Sequence, residues 1–108
     1  MNEKYLTEAE AFLQAGDYLQ ASEKFWGAAA EVVKAVAARR GVALYSHGEL
    51  YRFMDRLAEE LRDPSLLRLF GLASALHQNF YEGWLSPRAV AEYAQAVREL
   101  VAKLKTLS

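Results

Sequence analysis

Apolar residues recur every three to four positions along most of the chain, a spacing that places them on one face of an α-helix. The first such run extends from about Glu3 to Ala15, where Gly16 can adopt the left-handed conformation that ends helices. Asp17 can cap a second, longer run that ends at Arg40. Because this second helix carries two adjoining apolar stripes, we expect it to be central to the fold or to face a second subunit.

The third helix is delimited by a capping pattern. Ser46 and Glu49 form the S-x-x-E sequence in which a hydroxyl and a carboxylate satisfy the amides of a first helical turn. The helix is therefore predicted to begin near His47 and to end by Arg62. The linker over residues 42–45 is short, and short connections make neighbouring helices run antiparallel.

The dipeptides Asp-Pro at 63–64 and Ser-Pro at 86–87 each place a capping residue before a proline, which is tolerated in the first turn of a helix. They predict a fourth helix from 64 to about 84 and a fifth from 87 to about 107. The expected fold is all-α: one domain over residues 1–108, built as an up-and-down antiparallel four-helix bundle with an additional short N-terminal helix.

Composition narrows the range of functions. The chain has no cysteine and two histidines, which excludes a disulfide framework and leads us to expect no metal and no other cofactor. Thirteen basic and fourteen acidic side chains create no overall electrostatic field that attracts nucleic acid, so a nucleic-acid partner needs a local basic patch.

No apolar run reaches the length of a membrane span and no signal peptide is recognisable, so we expect a cytoplasmic protein with no membrane partner. Eight arginines against five lysines are compatible with a thermophilic source.

The segment 76–82 of the fourth helix is the densest group of chemically capable residues. His77 and Tyr81 lie one turn apart on one face, and imidazole titrates near neutral pH. We therefore predict ligand binding by His77, Asn79, Tyr81 and Glu82. The structural alternative is a hydrogen-bonded histidine at a helix contact, with Asn79 and Glu82 at the surface.

A second candidate lies between the second and third helices. We predict an anion site there, formed by Arg39, Arg40 and His47 together with the first-turn amides of the third helix. The alternative is that the arginines complement the helix dipole and that Ser46 does no more than cap. Arg40, His47 and His77 are thus the candidates for any catalytic role.

Large apolar side chains on the flanks of the second and fourth helices predict a homodimer interface, because one small bundle has too little core to cover both. The residues expected there are Trp26, Val33, Phe70, Tyr81 and Trp84. A stacking platform for nucleobases is a further possibility for Trp26, Tyr81, Trp84 and Tyr93, although aromatic residues at helical spacing are mostly core or interface.

Three segments carry a resemblance to a known family: residues 16–30, Ser46-His47-x-Glu-Leu and Leu76-His77-x-Asn-Phe-Tyr-Glu. In these the chain resembles the archaeal PaREP family, which is similar to a branch of the HEPN superfamily. HEPN domains are helical bundles that usually dimerise and often accompany nucleotidyltransferases. The resemblance implies a bundle, a dimer and a nucleotidyltransferase-type partner protein.

Active HEPN ribonucleases carry an arginine and, further along the chain, a histidine with four to six residues between them. Arg40 and His47 fit that spacing, although Gly41 interrupts the helix between them, and no arginine fits upstream of His77. The leading hypothesis is a non-catalytic HEPN-like domain that homodimerises and binds a partner protein or a nucleotide-like or RNA-like ligand. The alternatives are a metal-independent ribonuclease and a tetratricopeptide-like adaptor, since residues 16–29 resemble one helix pair of that repeat.

Overall fold

The chain folds into five α-helices in a computed structural model that describes residues 3–108. The helices are α1 (Lys4–Gln14), α2 (Tyr18–Arg39), α3 (His47–Leu61), α4 (Ser65–Glu82) and α5 (Pro87–Lys105). Over these described residues there is no strand, so the predicted all-α bundle is confirmed. Helix α4 ends two residues before the predicted position because Gly83 follows Glu82 in the left-handed conformation, with φ of 64°. Helix α5 likewise ends at Lys105 instead of Leu107.

Three of the four predicted caps hold helix starts; at α4 the N-cap is Pro64 and Asp63, one residue earlier, accepts from the Ser65 amide. The Asp17 carboxylate accepts a hydrogen bond from the Gln20 amide, and the Ser46 hydroxyl accepts one from the Glu49 amide at 3.1 Å. Glu49 Oε1 in turn accepts from the amide of Ser46 at 2.9 Å, which completes the capping box. The Ser86 hydroxyl caps α5. Because each bond spans at most four residues, the sequence pattern alone was sufficient to predict it.

Helix α2 is the centre of the bundle and packs against α1, α4 and α5. Helix α4 runs antiparallel to it, since Ser22 meets Asn79 near one end of the pair while Trp26 meets Phe70 further along. The wide apolar arc of α2 is therefore explained by its central position in the bundle. Val33 and Phe70 are fully buried in the core of the single chain, so their predicted place in a dimer interface is wrong.

The direction of α3 departs from the up-and-down order predicted for the bundle. His47 at its start stacks on Trp26 in the first half of α2, whereas Glu60 near its end pairs with Arg40 just beyond α2. Helices α2 and α3 are thus parallel. Arg40 and Gly41 form a turn that brings the Val42 amide onto the Ala37 carbonyl. Residues 42–46 then make this arrangement possible, because five extended residues span up to about 17 Å, long enough to return along α2. Leu44 is buried and anchors this strap to the core.

The seam between α1 and α2 is closed. A Cβ atom at Gly27 would lie 2.8 Å from the ring of Tyr5, so the glycine permits the two helices to approach closely. An adaptor of the tetratricopeptide type requires a groove between the first two helices for a peptide. The packed seam and the three further helices around it contradict that alternative.

Candidate functional site

The chain's two histidines meet at one place on the surface, although thirty residues separate them in sequence. Their ring centroids are 5.8 Å apart, with an angle of 18° between the planes. Both rings stack on Trp26, at 4.9 Å for His47 and 5.1 Å for His77. Imidazoles on opposite faces of an indole would be roughly 7 Å apart, the sum of two contacts of about 3.5 Å. The two histidines therefore lie side by side on the same face of Trp26.

Each imidazole has a different polar partner. His47 Nε2 is 2.9 Å from Ser74 Oγ, a hydroxyl that is itself buried. His77 Nδ1 is 2.9 Å from Glu23 Oε1 and donates its proton to that carboxylate. These bonds use one nitrogen of each ring. His47 Nδ1 and His77 Nε2 have no hydrogen-bond partner among the described residues 3–108, so both are available to a ligand.

Aromatic rings on α3 and α4 surround the pair. Tyr51 lies 5.4 Å from His47 and meets Phe70 edge-on at 4.8 Å. Tyr81 meets His77 edge-on at 5.4 Å. We call the six rings together the histidine–aromatic cluster: Trp26, His47, Tyr51, Phe70, His77 and Tyr81. The cluster is held by three helices, α2, α3 and α4, so its geometry depends on how they pack.

The surroundings of His47 disfavour its charged form. Packing against the neighbouring rings removes water from the imidazole, and this desolvation lowers its pKa below the ordinary value of 6.5. The nearby His77 lowers the pKa of His47 further by like-charge repulsion. His47 is accordingly neutral at neutral pH and able to accept or donate a hydrogen bond through its remaining nitrogen.

An exposed apolar patch continues from the cluster along the end of α4. Tyr81 and Trp84 are 70% and 63% exposed, and with His77, Gln78 and Glu82 they line an open depression of about 410 Å³. Leu19 from α2 is also exposed and lies beside Gly83. Tyr81 and Trp84 are thus free to contact a partner, as the predicted interface requires. Trp26 is half-buried beneath the histidines.

Asn79 is not a surface residue, contrary to the expectation from its position in mid-helix. Its side chain is 1% exposed, and its amide nitrogen donates to Ser22 Oγ at 3.1 Å. Its carbonyl oxygen accepts from the backbone amide of Leu85 at 2.8 Å. Both ends of the side chain are used inside the protein, so Asn79 does not contact a ligand. It holds α2 to α4 and fixes the loop that carries Trp84.

Arg40 lies far from both histidines. Its guanidinium binds Glu60, thirteen residues beyond His47 on α3, which corresponds to about 20 Å along the helix axis. The predicted anion site that combines Arg40 with His47 is therefore contradicted. The reason is the extended strap, which carries the start of α3 away from the end of α2. Arg52, which the sequence reasoning passed over, lies next to Gly48 in the first turn of α3.

The sequence reasoning also missed Glu23 and Ser74, the hydrogen-bond partners of the histidines. Glu23 is three residues before Trp26 and so shares its helix face. Ser74 is three residues before His77 on α4 in the same way. In each case the helical spacing was a usable signal, but it became informative only with the knowledge that α2, α3 and α4 converge here. No group of His, Cys, Asp and Glu side chains in residues 3–108 is arranged to hold a metal ion.

Fold and site together define a class: a small, all-helical domain with a central helix and a paired-histidine surface. The chain belongs to the Archaeal PaREP1/PaREP8 family, whose sequence profile matches residues 1–101. It is similar to a protein from Sulfolobus solfataricus known from a crystal structure. That match has 27% identity and a TM-score of 0.87, and it covers 97% of this chain and 93% of the other. No curated protein matches the chain. Within the described residues, none of the helices is both long and apolar enough to cross a membrane.

Proposed function

We propose that the protein is a non-catalytic, HEPN-like binding domain that acts as a cytoplasmic homodimer and binds a nucleotide-like or RNA-like ligand at the histidine–aromatic cluster. The observation that carries this proposal is the convergence of His47 and His77 on Trp26, beside the exposed ring of Tyr81. Exposed rings stack on nucleobases, and the two available imidazole nitrogens supply hydrogen bonds to base edges or phosphate. A nucleotidyltransferase-type protein is the partner that the family resemblance suggests.

Binding is tested with adenosine monophosphate and a short oligouridine RNA as probes. In a Trp84→Phe background, Trp26 is the sole tryptophan and its fluorescence reports on the cluster directly. We expect His77→Ala to weaken binding about tenfold, the loss of one good hydrogen bond. Gln95→Ala, at an exposed glutamine on α5 outside the cluster and the depression, is the control. Saturating probe that changes neither Trp26 emission nor the NMR signals of the two histidines would contradict the proposal.

The homodimer rests on the apolar patch of Leu19, Tyr81 and Trp84, which adjoins the cluster. An isologous contact between two copies is the commonest way to cover such a patch. Light scattering at high micromolar concentration should give a dimer for the wild type and for Leu61→Ala, a change at an exposed leucine at the opposite end of α3 from His47. Trp84→Ala should shift the protein toward monomer. A monomeric wild type would refute this part of the proposal without touching the ligand site.

A metal-independent ribonuclease is the second candidate, favoured by the different environments of the two imidazoles. His77 is oriented by the Glu23 carboxylate while His47 is held neutral, a combination suited to one acid and one base. The measurement is RNA cleavage in the presence of a metal chelator. Activity that disappears in both His47→Ala and His77→Ala, and persists in Arg40→Ala, would replace the non-catalytic proposal. Equal RNA turnover in wild type and the double histidine variant would eliminate the ribonuclease.

A further inference from the structure

Ser74 fixes which nitrogen of His47 carries the proton. Ser74 is 3% exposed, so water has almost no access to its hydroxyl group. Within residues 3–108 its side chain makes one hydrogen bond, which joins Oγ to His47 Nε2 at 2.9 Å. A buried hydroxyl proton needs an acceptor, and Nε2 is the acceptor in reach. The hydroxyl therefore donates to Nε2. The proton of the neutral imidazole then lies on Nδ1, the nitrogen that is open to a ligand.

Ser22, on α2, shows the other arrangement that a serine in a helix can adopt. Its hydroxyl donates to the carbonyl oxygen of Tyr18, one turn earlier, at 2.7 Å, and its oxygen then accepts from the Asn79 amide. Ser74 has no such bond to a carbonyl oxygen in the described part of the chain. Its proton therefore goes to the imidazole, whereas that of Ser22 goes to the backbone.

Glu23 fixes the proton of His77 but leaves the opposite kind of group open. An ionised carboxylate only accepts hydrogen bonds, so His77 Nδ1 carries the proton that Glu23 Oε1 binds at 2.9 Å. The neutral ring then has a lone pair on Nε2, its open nitrogen. Both imidazoles thus carry the proton on Nδ1. Because different nitrogens are occupied, His47 offers a donor to a ligand and His77 offers an acceptor.

We infer that the histidine–aromatic cluster recognises the edge of a nucleobase, where a donor lies beside an acceptor, and not a phosphate group. The inference rests on the proposed function and names its ligand class. An ionised phosphate ester accepts hydrogen bonds and has no proton to donate to His77 Nε2. A base edge satisfies both histidines, as N3–H and O4 of uracil would. Two hydrogen bonds of about 2.9 Å can reach neighbouring atoms of one base from rings whose centroids are 5.8 Å apart.

The surroundings of the pair agree with this ligand class. Tyr81 is 70% exposed and meets His77 edge-on, so its ring face is open to a stacked base. Glu23 is bound to His77, and Glu82 lines the depression beside it. These two carboxylates disfavour a phosphate group on this side of the cluster.

The tautomers are measured first, on the free protein. At a pH of about 8.5, well above the ordinary imidazole pKa of about 6.5, nitrogen-15 NMR should show the proton on Nδ1 in both histidines. Ser74→Ala should make Nε2–H detectable in His47 and leave His77 unchanged. Glu23→Ala should do the reverse. Glu92→Ala, at an exposed carboxylate on α5, should change neither ring. A wild-type histidine protonated on Nε2 would overturn the inference, and this measurement needs no variant.

The ligand class is then tested at the same pH by Trp26 fluorescence in the Trp84→Phe background. Uridine and adenosine should bind within about twofold of their monophosphates, and methyl phosphate should not compete. Their derivatives methylated on the base edge, 3-methyluridine and N6,N6-dimethyladenosine, should bind about tenfold more weakly, the loss of one hydrogen bond.

The outcomes separate this inference from the proposed function. Competition by methyl phosphate, or equal binding of a nucleoside and its methylated derivative, would overturn the inference and leave nucleotide binding intact. If neither the nucleosides nor their monophosphates bind, the proposed function is refuted and the inference with it.

Discussion

Helices α1 and α3 both pack on the central part of the bundle, but they are held there by different interactions. Arg98 binds Glu10 of α1 through two nitrogens, at 2.6 and 2.7 Å, and Lys105 binds Glu3 at 2.7 Å. On the other side, α3 meets α2 and α4 through His47, Tyr51 and a buried apolar stripe. Exposed ion pairs thus reinforce the packed seam of α1, whereas rings make the contacts of α3 near His47 and an ion pair, Arg40–Glu60, lies at its other end.

This difference explains where the candidate site lies. The Arg98 guanidinium donates to both oxygens of Glu10 and to Gln95, and such exposed pairs contribute little to stability or binding. The imidazoles of His47 and His77 keep one nitrogen each free while both rings pack on Trp26. Groups that are partly buried and incompletely bonded are the ones that can exchange protons or bind a ligand. We therefore expect ligand binding or proton exchange to occur on the α3 side of the molecule.

The largest expected effect is the loss of the ring beneath the cluster. Phe70→Ala removes a fully buried side chain that contacts both Trp26 and Tyr51, and it should lower the free energy of unfolding by about 3–5 kcal/mol. Denaturant unfolding followed by circular dichroism measures it. Tyr45→Ala, at a side chain that is 87% exposed, should stay within about 0.5 kcal/mol of wild type. A loss for Phe70→Ala as small as that of the control would mean that the core does not support the cluster.

A smaller loss is expected for the buried amide that joins α2 to α4. Asn79→Ala removes two hydrogen bonds and leaves the Leu85 amide without its acceptor, at a cost of about 1–3 kcal/mol. Gln78→Ala is exposed and should have almost no effect. Trp84 fluorescence in the folded variant should also change, because Asn79 fixes the loop that carries this residue. Equal stability of the two variants would contradict the structural role of Asn79.

The start of α3 can be loosened separately from the core. Ser46→Ala breaks the capping box and should cost about 1 kcal/mol, with broadening of the NMR signal of the adjacent His47. Ser46→Thr keeps the hydroxyl and should retain most of the stability. If Ser46→Ala destabilises the protein but leaves the His47 signal unaffected, the cap does not position the imidazole.

The smallest effect belongs to the α1 side. A double-mutant cycle with Glu10→Gln and Arg98→Met should give a coupling of about 0.2–1 kcal/mol, weakened by salt, because both side chains are about a third exposed or more. Arg98 holds the pKa of the Glu10 carboxyl below its usual 4.5. The coupling should therefore be complete above that value and decline as the pH falls through the lowered pKa of the folded state. A coupling that persists in strong acid would refute the ion pair as its source.

Most of the secondary structure could be predicted because its signals are local. Asp17, Ser46 and Ser86 act on amides three residues away, and each cap was found where expected. The exposure of Tyr81 and Trp84 also agrees with their expected place at a surface. Val33 and Phe70 could not be assigned correctly, since an apolar stripe on a helix does not reveal whether a second helix or a second subunit covers it.

The site was predictable only in part. His77 and Tyr81 were identified from their spacing on one helix, and this neighbourhood is preserved as an edge-on ring contact. Asn79, on the same segment, points into the core, because two further residues along the helix turn a side chain by about 200°. The pairing of Arg40 with His47 was wrong because proximity in sequence was taken for proximity in space.

The sequence by itself determined the five helices, their caps and the family, since these depend on residue type and on spacing within a few turns. Only the tertiary structure decided that residues 42–46 return along α2 and that α3 runs parallel to α2. The direction of a helix after a linker depends on which long-range contacts offset the conformational entropy that the chain loses on folding. Here those contacts are the burial of Leu44 and the stacking of His47 on Trp26. That packing joins His47 to His77 and separates it from Arg40.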